Sequence, residues 1–170
     1  MPKVLTTLPN PDFTFITATP ARFIAFGFGS GLSPKAPGTF GSLLGVAIYF
    51  LLSVFFSANT ILGLLILCFG LGVWACDKTG RDLGVADHGG MVWDEIVAMM
   101  LVLAFTPFGV VSYALAFALF RLFDIWKPFP IRVLEKNFKG GFGVMIDDIM
   151  AAIYAIALLW IVQKLFGLLY

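Results

Sequence analysis

Charged residues, cysteine and histidine are all scarce in this sequence of 170 residues. Lys, Arg, Asp and Glu together make up 12% of it, about half of the ~25% that is usual in soluble domains. The net charge of +1 gives no basic field that would attract nucleic acid. Cys68 and Cys76 form no CxxC motif and lie in or beside an apolar run. We therefore expect reduced packing residues and not a disulfide framework.

Apolar residues take the place of the charged ones. They make up 60% of the chain, and the mean hydropathy is +0.97. These values exclude a disordered chain, a coiled coil and almost any soluble domain. They predict a small integral membrane protein that forms a single domain over 1–170. The segment 1–20 is polar and rich in proline, and it lacks the apolar centre of a cleaved signal peptide.

Long stretches without charge predict the membrane helices. The stretch 36–76 contains no charged side chain and is long enough for two spans of ~20 residues each. We place these spans at about 41–56 and 60–75, with a turn between them. The stretch 149–170 contains only Lys164 and predicts another span.

The uncharged stretch 96–120 can be interpreted in two ways. Pro107 and Gly109 near its centre are typical of a turn, so it fits either one tilted span or a short helical hairpin. A hairpin would place every charged side chain except Lys164 on one side of the membrane, and the positive-inside rule makes that side cytoplasmic. We therefore predict an all-α, multi-pass membrane bundle of about five short hydrophobic helices, with polar loops on the cytoplasmic face.

The first polar loop, 27–42, is rich in glycine and hydroxyl side chains and precedes a membrane helix. Glycine lets backbone N–H groups crowd together, and a helix N-terminus attracts anions, so the loop predicts a phosphate cradle. Ser30, Lys35 and Thr39 are its candidate ligands, and Thr39 is also the expected N-cap of the helix. The spacing is not that of a P-loop. A tight turn that lets helices pack closely explains the same residues equally well.

Two pairs of adjacent carboxylates stand at the entry to apolar helices. Asp94 and Glu95 end the acidic loop 77–95, and Asp147 and Asp148 follow a second glycine-rich segment. Acids favour helix N-termini, but ionisable groups at a membrane boundary are costly and usually functional. Four carboxylates repel one another unless a cation lies among them, and their oxygens suit Mg²⁺, Ca²⁺ or Mn²⁺. The sequence therefore predicts a divalent metal site formed by all four residues.

The loop 121–148 also carries basic residues. Arg121 and Asp124 are three residues apart and can share a helix face. Arg121, Lys127 and Arg132 could clamp a phosphate, although a basic collar on a cytoplasmic loop explains them too.

The single histidine has two interpretations as well. His88 could transfer a proton near neutral pH. It could equally orient the turn that contains Asp87 by a hydrogen bond.

Four motifs follow one another along most of the chain: GFGSGLSPKAPGTFGS, DHGGMVWDE, RLFDIWKPFPIR and GGFGVMIDD. As a set they resemble the phosphatidylglycerophosphatase A family of bacterial membrane enzymes. The resemblance implies a magnesium-dependent phosphatase of the bacterial inner membrane, with its active site facing the cytoplasm. Such an enzyme converts phosphatidylglycerophosphate to phosphatidylglycerol and phosphate. The residues that match the acidic positions of the family are Asp87, Asp94, Glu95, Asp124, Asp147 and Asp148.

The catalytic hypothesis combines these residues with the chemistry that the resemblance implies. The two carboxylate pairs, with Asp124, hold one or two Mg²⁺ ions, and a water attacks the phosphorus in line. His88 or a free carboxylate assists proton transfer, and a phospho-aspartyl intermediate is the rival chemistry. A thiol nucleophile is disfavoured because neither cysteine lies in a polar loop. The residues expected to bind the phosphoryl group are Ser30, Lys35, Thr39, Lys127 and Arg132.

Two other classes share some of these features. A transporter of ions or small solutes would also use membrane carboxylates and short helices, but its polar groups would lie near the midplane and not at one surface. A CDP-alcohol phosphatidyltransferase would also use membrane-surface aspartates and a divalent metal, but the DGxxAR…GxxxDxxxD pattern expected there is missing. The expected partners are the lipid substrate and bilayer lipid, and not nucleic acid.

Overall fold

The computed structural model describes residues 11–166, apart from the side chains of Lys136 and Phe166. The first half of the predicted polar segment 1–20 therefore lies outside the described residues. Within 11–166 the chain forms α-helices, one 3₁₀ segment and no strand, which confirms the all-α prediction. The helices are α1 (Phe13–Thr17), α2 (Pro20–Ala25), α3 (Pro37–Phe55), α4 (Ala58–Leu83), α5 (Trp93–Ala104), α6 (Val110–Trp126), α7 (Ile131–Asn137) and α8 (Gly140–Phe166), and the 3₁₀ segment is Gly27–Leu32.

Three helices, α3, α4 and α8, are long and apolar enough to cross a membrane. Their outward faces carry exposed large apolar side chains such as Leu51, Phe55 and Ile66, as expected of surfaces that contact lipid. The cysteines Cys68 and Cys76 both lie in α4 as free thiols, as the sequence predicted.

The stretch 96–120 forms a helical hairpin. Helix α5 ends at Ala104 and α6 begins at Val110, so the chain reverses around Pro107 and Gly109. The twelve residues of α5 give about 18 Å of helix, which is short of the ~30 Å hydrocarbon core. This helix is instead enclosed by protein, because nine of its twelve side chains are buried, and α3, α4, α6 and α8 all contact it.

The polar segments differ in extent from the expected loops. Helix α4 continues to Leu83 and ends at Gly84, whose φ of 70° is the left-handed conformation that glycine adopts easily at a helix C-terminus. Half of the expected loop 77–95 is thus helical. Helix α3 begins at Pro37, two residues before the expected N-cap Thr39, and Ala36 takes the N-cap position. Proline is well suited to the first turn of a helix because its missing N–H is not needed there.

Close packing of α3 on α5 fixes the position of the acidic helix entry. A Cβ atom on Gly45 would lie 2.8 Å from the carbonyl oxygen of Ile96 and 3.2 Å from its Cα. A Cβ atom on Gly41 would lie 2.7 Å from the Cβ of Val92. Small residues on one helix face let two backbones approach closely in a membrane. The glycines of α3 therefore hold the first turns of α5 against α3.

Replacing Gly45 with alanine should lower the free energy of unfolding by about 1–3 kcal/mol, because the new methyl group meets backbone atoms of Ile96 that cannot rotate away. Thermal unfolding of the purified protein in detergent micelles measures the effect. The matched control is Gly70→Ala in α4, where a Cβ would meet no atom within 4 Å. The control should unfold at the temperature of the original chain or slightly above it. Equal unfolding temperatures for the two variants would contradict the close packing of α3 on α5.

Candidate active site

Three carboxylates from two helices meet at the polar end of the bundle. Asp94 and Glu95 lie in the first turn of α5, and Asp148 lies near the start of α8. One oxygen of each carboxylate lies within 4.8 Å of the corresponding oxygens of the other two. Asp94 is 7% exposed and Asp148 is 3% exposed. We call these three residues the acid cluster.

The acid cluster contains carboxylate oxygens that lack hydrogen-bond donors. Among the residues that the structure describes, Asp94 Oδ1, Glu95 Oε2 and Asp148 Oδ2 are buried without a partner. Leaving a buried charged group unsatisfied is expensive, and neighbouring carboxylates add mutual repulsion. A hard divalent cation would satisfy all three oxygens at once, since carboxylate oxygens are its preferred ligands. The arrangement therefore fits a metal site.

Arg121 supplies the positive charge nearest to the acid cluster. Its Nη1 lies 2.6 Å from Asp124 Oδ2 and 3.7 Å from Glu95 Oε1, and it also donates to Ser42 Oγ at 3.4 Å. These contacts connect α6 to α5 and α3. Asp94 and Asp148 have no ion pair with any described cation. One guanidinium thus balances only part of the negative charge.

Asp147 is directed away from the acid cluster, although its neighbour Asp148 belongs to it. Consecutive residues on a helix point about 100° apart, and Asp147 Oδ2 instead lies 2.6 Å from Lys127 Nζ. Lys127 also pairs with Glu135 at 3.3 Å. Burial by itself would lower the pKa of Lys127, but the hydrogen bond and charge of Asp147, together with Glu135, outweigh it and raise that pKa above its usual value. Of the four ligands predicted from the sequence, the structure brings three together and places Asp147 in an ion pair.

Asp124 and Asp87, two further acids of the matching set, occupy different places. Asp124 pairs with Arg121 and also lies close enough to Asp148 for their carboxylates to interact. Asp87 is exposed and lines a cavity of about 310 Å³ together with Glu135 and Asp147. This cavity is the open space beside Lys127 and its two partners.

The glycine-rich loop approaches the acid cluster through Gly38. A Cβ atom at this position would collide with Glu95 Oε1 and lie 3.0 Å from Arg121 Nη1. The N-terminus of α3, which carries a partial positive charge, therefore lies directly beside Glu95. Within the described part of the chain, the three predicted phosphate ligands of this loop make no hydrogen bond or ion pair with the acid cluster. Ser30 Oγ donates to the carbonyl of Gly27, Lys35 is exposed, and Thr39 lies half-buried in the first turn of α3.

Two other candidate residues contact the backbone. Nδ1 of His88 accepts a hydrogen bond from the N–H of Gly90 at 3.0 Å, which is the turn-orienting arrangement. Arg132 is exposed and donates from Nη2 to the carbonyl oxygen of Trp126 at 3.0 Å.

The predicted shared helix face of Arg121 and Asp124 is confirmed by their ion pair, but the contact of Arg121 with Glu95 and the role of Gly38 were missed. Arg121 was expected to clamp a phosphate, whereas the structure places it among carboxylates. Its three-residue spacing from Asp124, inside an otherwise apolar helix, was the available signal. Gly38 gave no signal of its own, because its contact with Glu95 depends on how α3 packs on α5.

Comparisons with known proteins agree on one family. The family described as phosphatidylglycerophosphatase A matches residues 23–163. A phosphatidylglycerophosphatase A of Haemophilus influenzae is 46% identical over 155 residues, which cover 91% of this chain and 95% of that protein. A phosphatidylglycerophosphatase A of Escherichia coli is 40% identical over 150 residues, which cover 85% and 84% respectively. A Bacteroides thetaiotaomicron protein, provisionally named phosphatidylinositol-3-phosphatase, is 42% identical over 151 residues, which cover 85% and 94%. No solved structure matches the chain significantly.

Replacing Arg121 with methionine should lower the free energy of unfolding by about 3–5 kcal/mol, because Glu95 and Asp124 would lose their buried counterion. Adding Glu95→Gln to this variant should restore part of the loss by removing one unpaired charge. Denaturant unfolding in detergent, with a chelator present, measures both effects. Arg81→Met is the matched control, since Arg81 is 71% exposed and its ion pair with Asp77 contributes little. A loss no larger than that of the control would show that Arg121 does not stabilise the site.

Proposed function

Because the chain belongs to the phosphatidylglycerophosphatase A family, we propose that this membrane phosphatase hydrolyses phosphatidylglycerophosphate to phosphatidylglycerol and phosphate. The family match and two of the relatives bear that name. The third relative is named for a different lipid, but both names describe removal of a phosphomonoester from a lipid headgroup. The observation that carries the proposal is the acid cluster, with its three unsatisfied carboxylate oxygens at the polar end of the bundle.

Mg²⁺ is the cofactor that fits this site best. Asp94, Glu95 and Asp148 would hold it through carboxylate oxygens, the hard ligands that it prefers. When bound, it would offset the negative charge that develops on the phosphoryl oxygens in the transition state. Asp147, the fourth ligand predicted from the sequence, is not included in this metal site because it already pairs with Lys127.

In the proposed reaction, Lys127 binds the phosphoryl group and Asp147 activates the attacking water. Hydrolysis forms a bond from a water oxygen to phosphorus and breaks the bond from phosphorus to the glycerol oxygen, which leaves with a proton. Lys127 is more exposed than Arg121, 24% against 15%, and remains protonated beside Asp147. Its ammonium group therefore binds the phosphoryl oxygens. Asp147, released from Lys127, accepts the proton of the attacking water and returns it to the departing glycerol oxygen.

The membrane orientation follows from the same charges. Arg121, Lys127 and the acid cluster lie at one end of the bundle, where α5 and α8 begin and α6 ends. Basic residues favour the cytoplasmic side of a membrane. We therefore propose that the site faces the cytoplasm from the bacterial inner membrane. A transporter is less consistent with this arrangement, since it would hold its carboxylates near the midplane.

Asp148→Asn should abolish Mg²⁺-dependent phosphate release from phosphatidylglycerophosphate in detergent, because one of the three clustered carboxylates loses its charge. The same variant should be more stable than the original chain without metal, since repulsion is relieved. It should also lose the rise in unfolding temperature that Mg²⁺ produces by binding the folded state. The matched control is Asp77→Asn, a partly exposed acid paired with Arg81, which should keep both properties. Phosphate release that needs no divalent cation would contradict the proposed cofactor.

Asp147→Asn should separate the two roles of the adjacent aspartates. Asp147 contacts Lys127 and not the acid cluster. The Mg²⁺ concentration that produces half of the maximal rise in unfolding temperature should therefore stay unchanged. The turnover number should fall by about 10²–10⁴, the usual contribution of a general base. A loss of Mg²⁺ stabilisation equal to that of Asp148→Asn would instead restore Asp147 as a metal ligand.

A further inference from the structure

A second cavity lies beside Lys127. It has a volume of about 330 Å³ and is lined by Trp126, Lys127, Pro128, Phe129 and Arg132. We call it the interfacial cavity. Its size is at the lower end of that of small-molecule sites. Glu135 and Asp147, the partners of Lys127, line the other cavity of about 310 Å³. Because Lys127 lines one cavity and its two partners line the other, the two cavities are neighbours.

Arg132 is the cation of the interfacial cavity that is free to bind an anion. Lys127 Nζ is paired with two carboxylates and, in the proposed reaction, binds the reacting phosphoryl group. Within the described residues, Arg132 makes a single hydrogen bond, from Nη2 to the carbonyl of Trp126, and no ion pair. That bond orients the guanidinium group and leaves most of its N–H donors unused. The planar guanidinium can donate two parallel hydrogen bonds to the oxygens of one phosphate.

The surroundings place the interfacial cavity at the depth of lipid headgroups. Trp126 is 59% exposed and Phe129 is 80% exposed. Aromatic side chains beside basic ones are typical of the boundary between hydrocarbon and water. The hydroxyl of Tyr154 on α8 donates to the carbonyl of Phe129 at 3.0 Å and ties this segment to the membrane helix. A phosphate bound here would still be attached to a lipid.

We propose that the interfacial cavity binds the phosphodiester of the lipid substrate, with Arg132 as its ligand, while Lys127 binds the terminal phosphomonoester. This inference rests on the proposed function. Phosphatidylglycerophosphate carries both groups, and only three glycerol carbons connect their ester oxygens. Lys127 and Arg132 line the same cavity, and two neighbouring cations match two phosphates so closely linked. Arg132 thus holds the part of the lipid that does not react, and it distinguishes this substrate from lipids that carry a monoester alone.

Phosphatidic acid provides the comparison, because its phosphomonoester sits directly on diacylglycerol and it has no phosphodiester. The assay measures KM and kcat for each lipid in a neutral detergent, where the substrate is the only phospholipid. The original chain should have a higher KM for phosphatidic acid. Arg132→Gln should raise the KM for phosphatidylglycerophosphate about tenfold, as expected for the loss of hydrogen bonds to a charged group. Its kcat should change little, because the lost contact is the same in the ground and transition states.

The controls separate recognition of the diester from general attraction to a negative surface. Arg132→Gln should leave the KM for phosphatidic acid unchanged, and Arg132→Lys, which keeps the charge, should recover part of the affinity for phosphatidylglycerophosphate. Arg81→Gln removes an exposed arginine from the same end of the molecule and should behave as the original chain does with both lipids. The unfolding temperature of each variant checks that it is folded.

Each contrary result has its own meaning. Equal losses on both lipids in Arg132→Gln would make Arg132 a general membrane anchor and overturn the inference, as would an unchanged KM for both. An effect that appears only after another anionic phospholipid is added would assign the interfacial cavity to bulk lipid and overturn it too. If the original chain releases no phosphate from phosphatidylglycerophosphate, the proposed function itself fails. If it does so while Arg132→Gln is unaffected, only this inference fails.

Discussion

The arrangement of the whole polar end depends on the concentration of negative charge in a place with little water. Asp94 and Asp148 are buried and Glu95 is partly buried within reach of them, and Arg121 balances only Glu95 and Asp124. A folded chain that tolerates this repulsion must hold its helices firmly. The tight approach of α3 to α5 supplies that firmness and also brings the positive end of the α3 helix dipole to Glu95. In the function proposed above, a bound cation would relieve the repulsion within the acid cluster, and this relief would contribute to the free energy of binding.

The adjacent aspartates of α8 show how one turn of helix serves two purposes. Asp148 turns inward to the acid cluster, and Asp147 turns towards Lys127. Successive side chains on a helix leave it about 100° apart, and the ion pair with Lys127 holds Asp147 away from the acid cluster. In the scheme proposed above, metal binding and proton transfer are thus held at a fixed separation by a single rigid element. Helix α6 contributes in a similar way, because Arg121 and Asp124 face the acids while Lys127, just beyond its last turn, faces the opening.

Much of the fold could be predicted from the sequence because the membrane imposes simple rules. The uncharged stretches located α3, α4 and α8, and Pro107 with Gly109 located the reversal between α5 and α6. The extension of α4 to Leu83 was missed, since charged residues were taken as the end of the helix, although a helix can continue into water with its charges exposed. Within the site, the meeting of Asp94 and Glu95 with Asp148 followed from the topology. The ion pair of Asp147 with Lys127 and the contact of Gly38 with Glu95 depend on how helices rotate and pack, and residue type and spacing do not report that.

The shortness of the α5–α6 hairpin has a consequence for how the protein enters the membrane. The tip of the hairpin is entirely apolar at its surface, with Phe105, Phe108 and Val110 exposed, and the hydroxyl of Thr106 is satisfied internally by the carbonyl of Val102. No charged group has to be translocated for this element to insert, so both arms can enter together from one side of the bilayer. Helix α8 follows the hairpin in the chain. Asp148 can therefore join Asp94 and Glu95 only after this later helix has been synthesised and inserted, which makes the assembly of the acid cluster a late event in biogenesis.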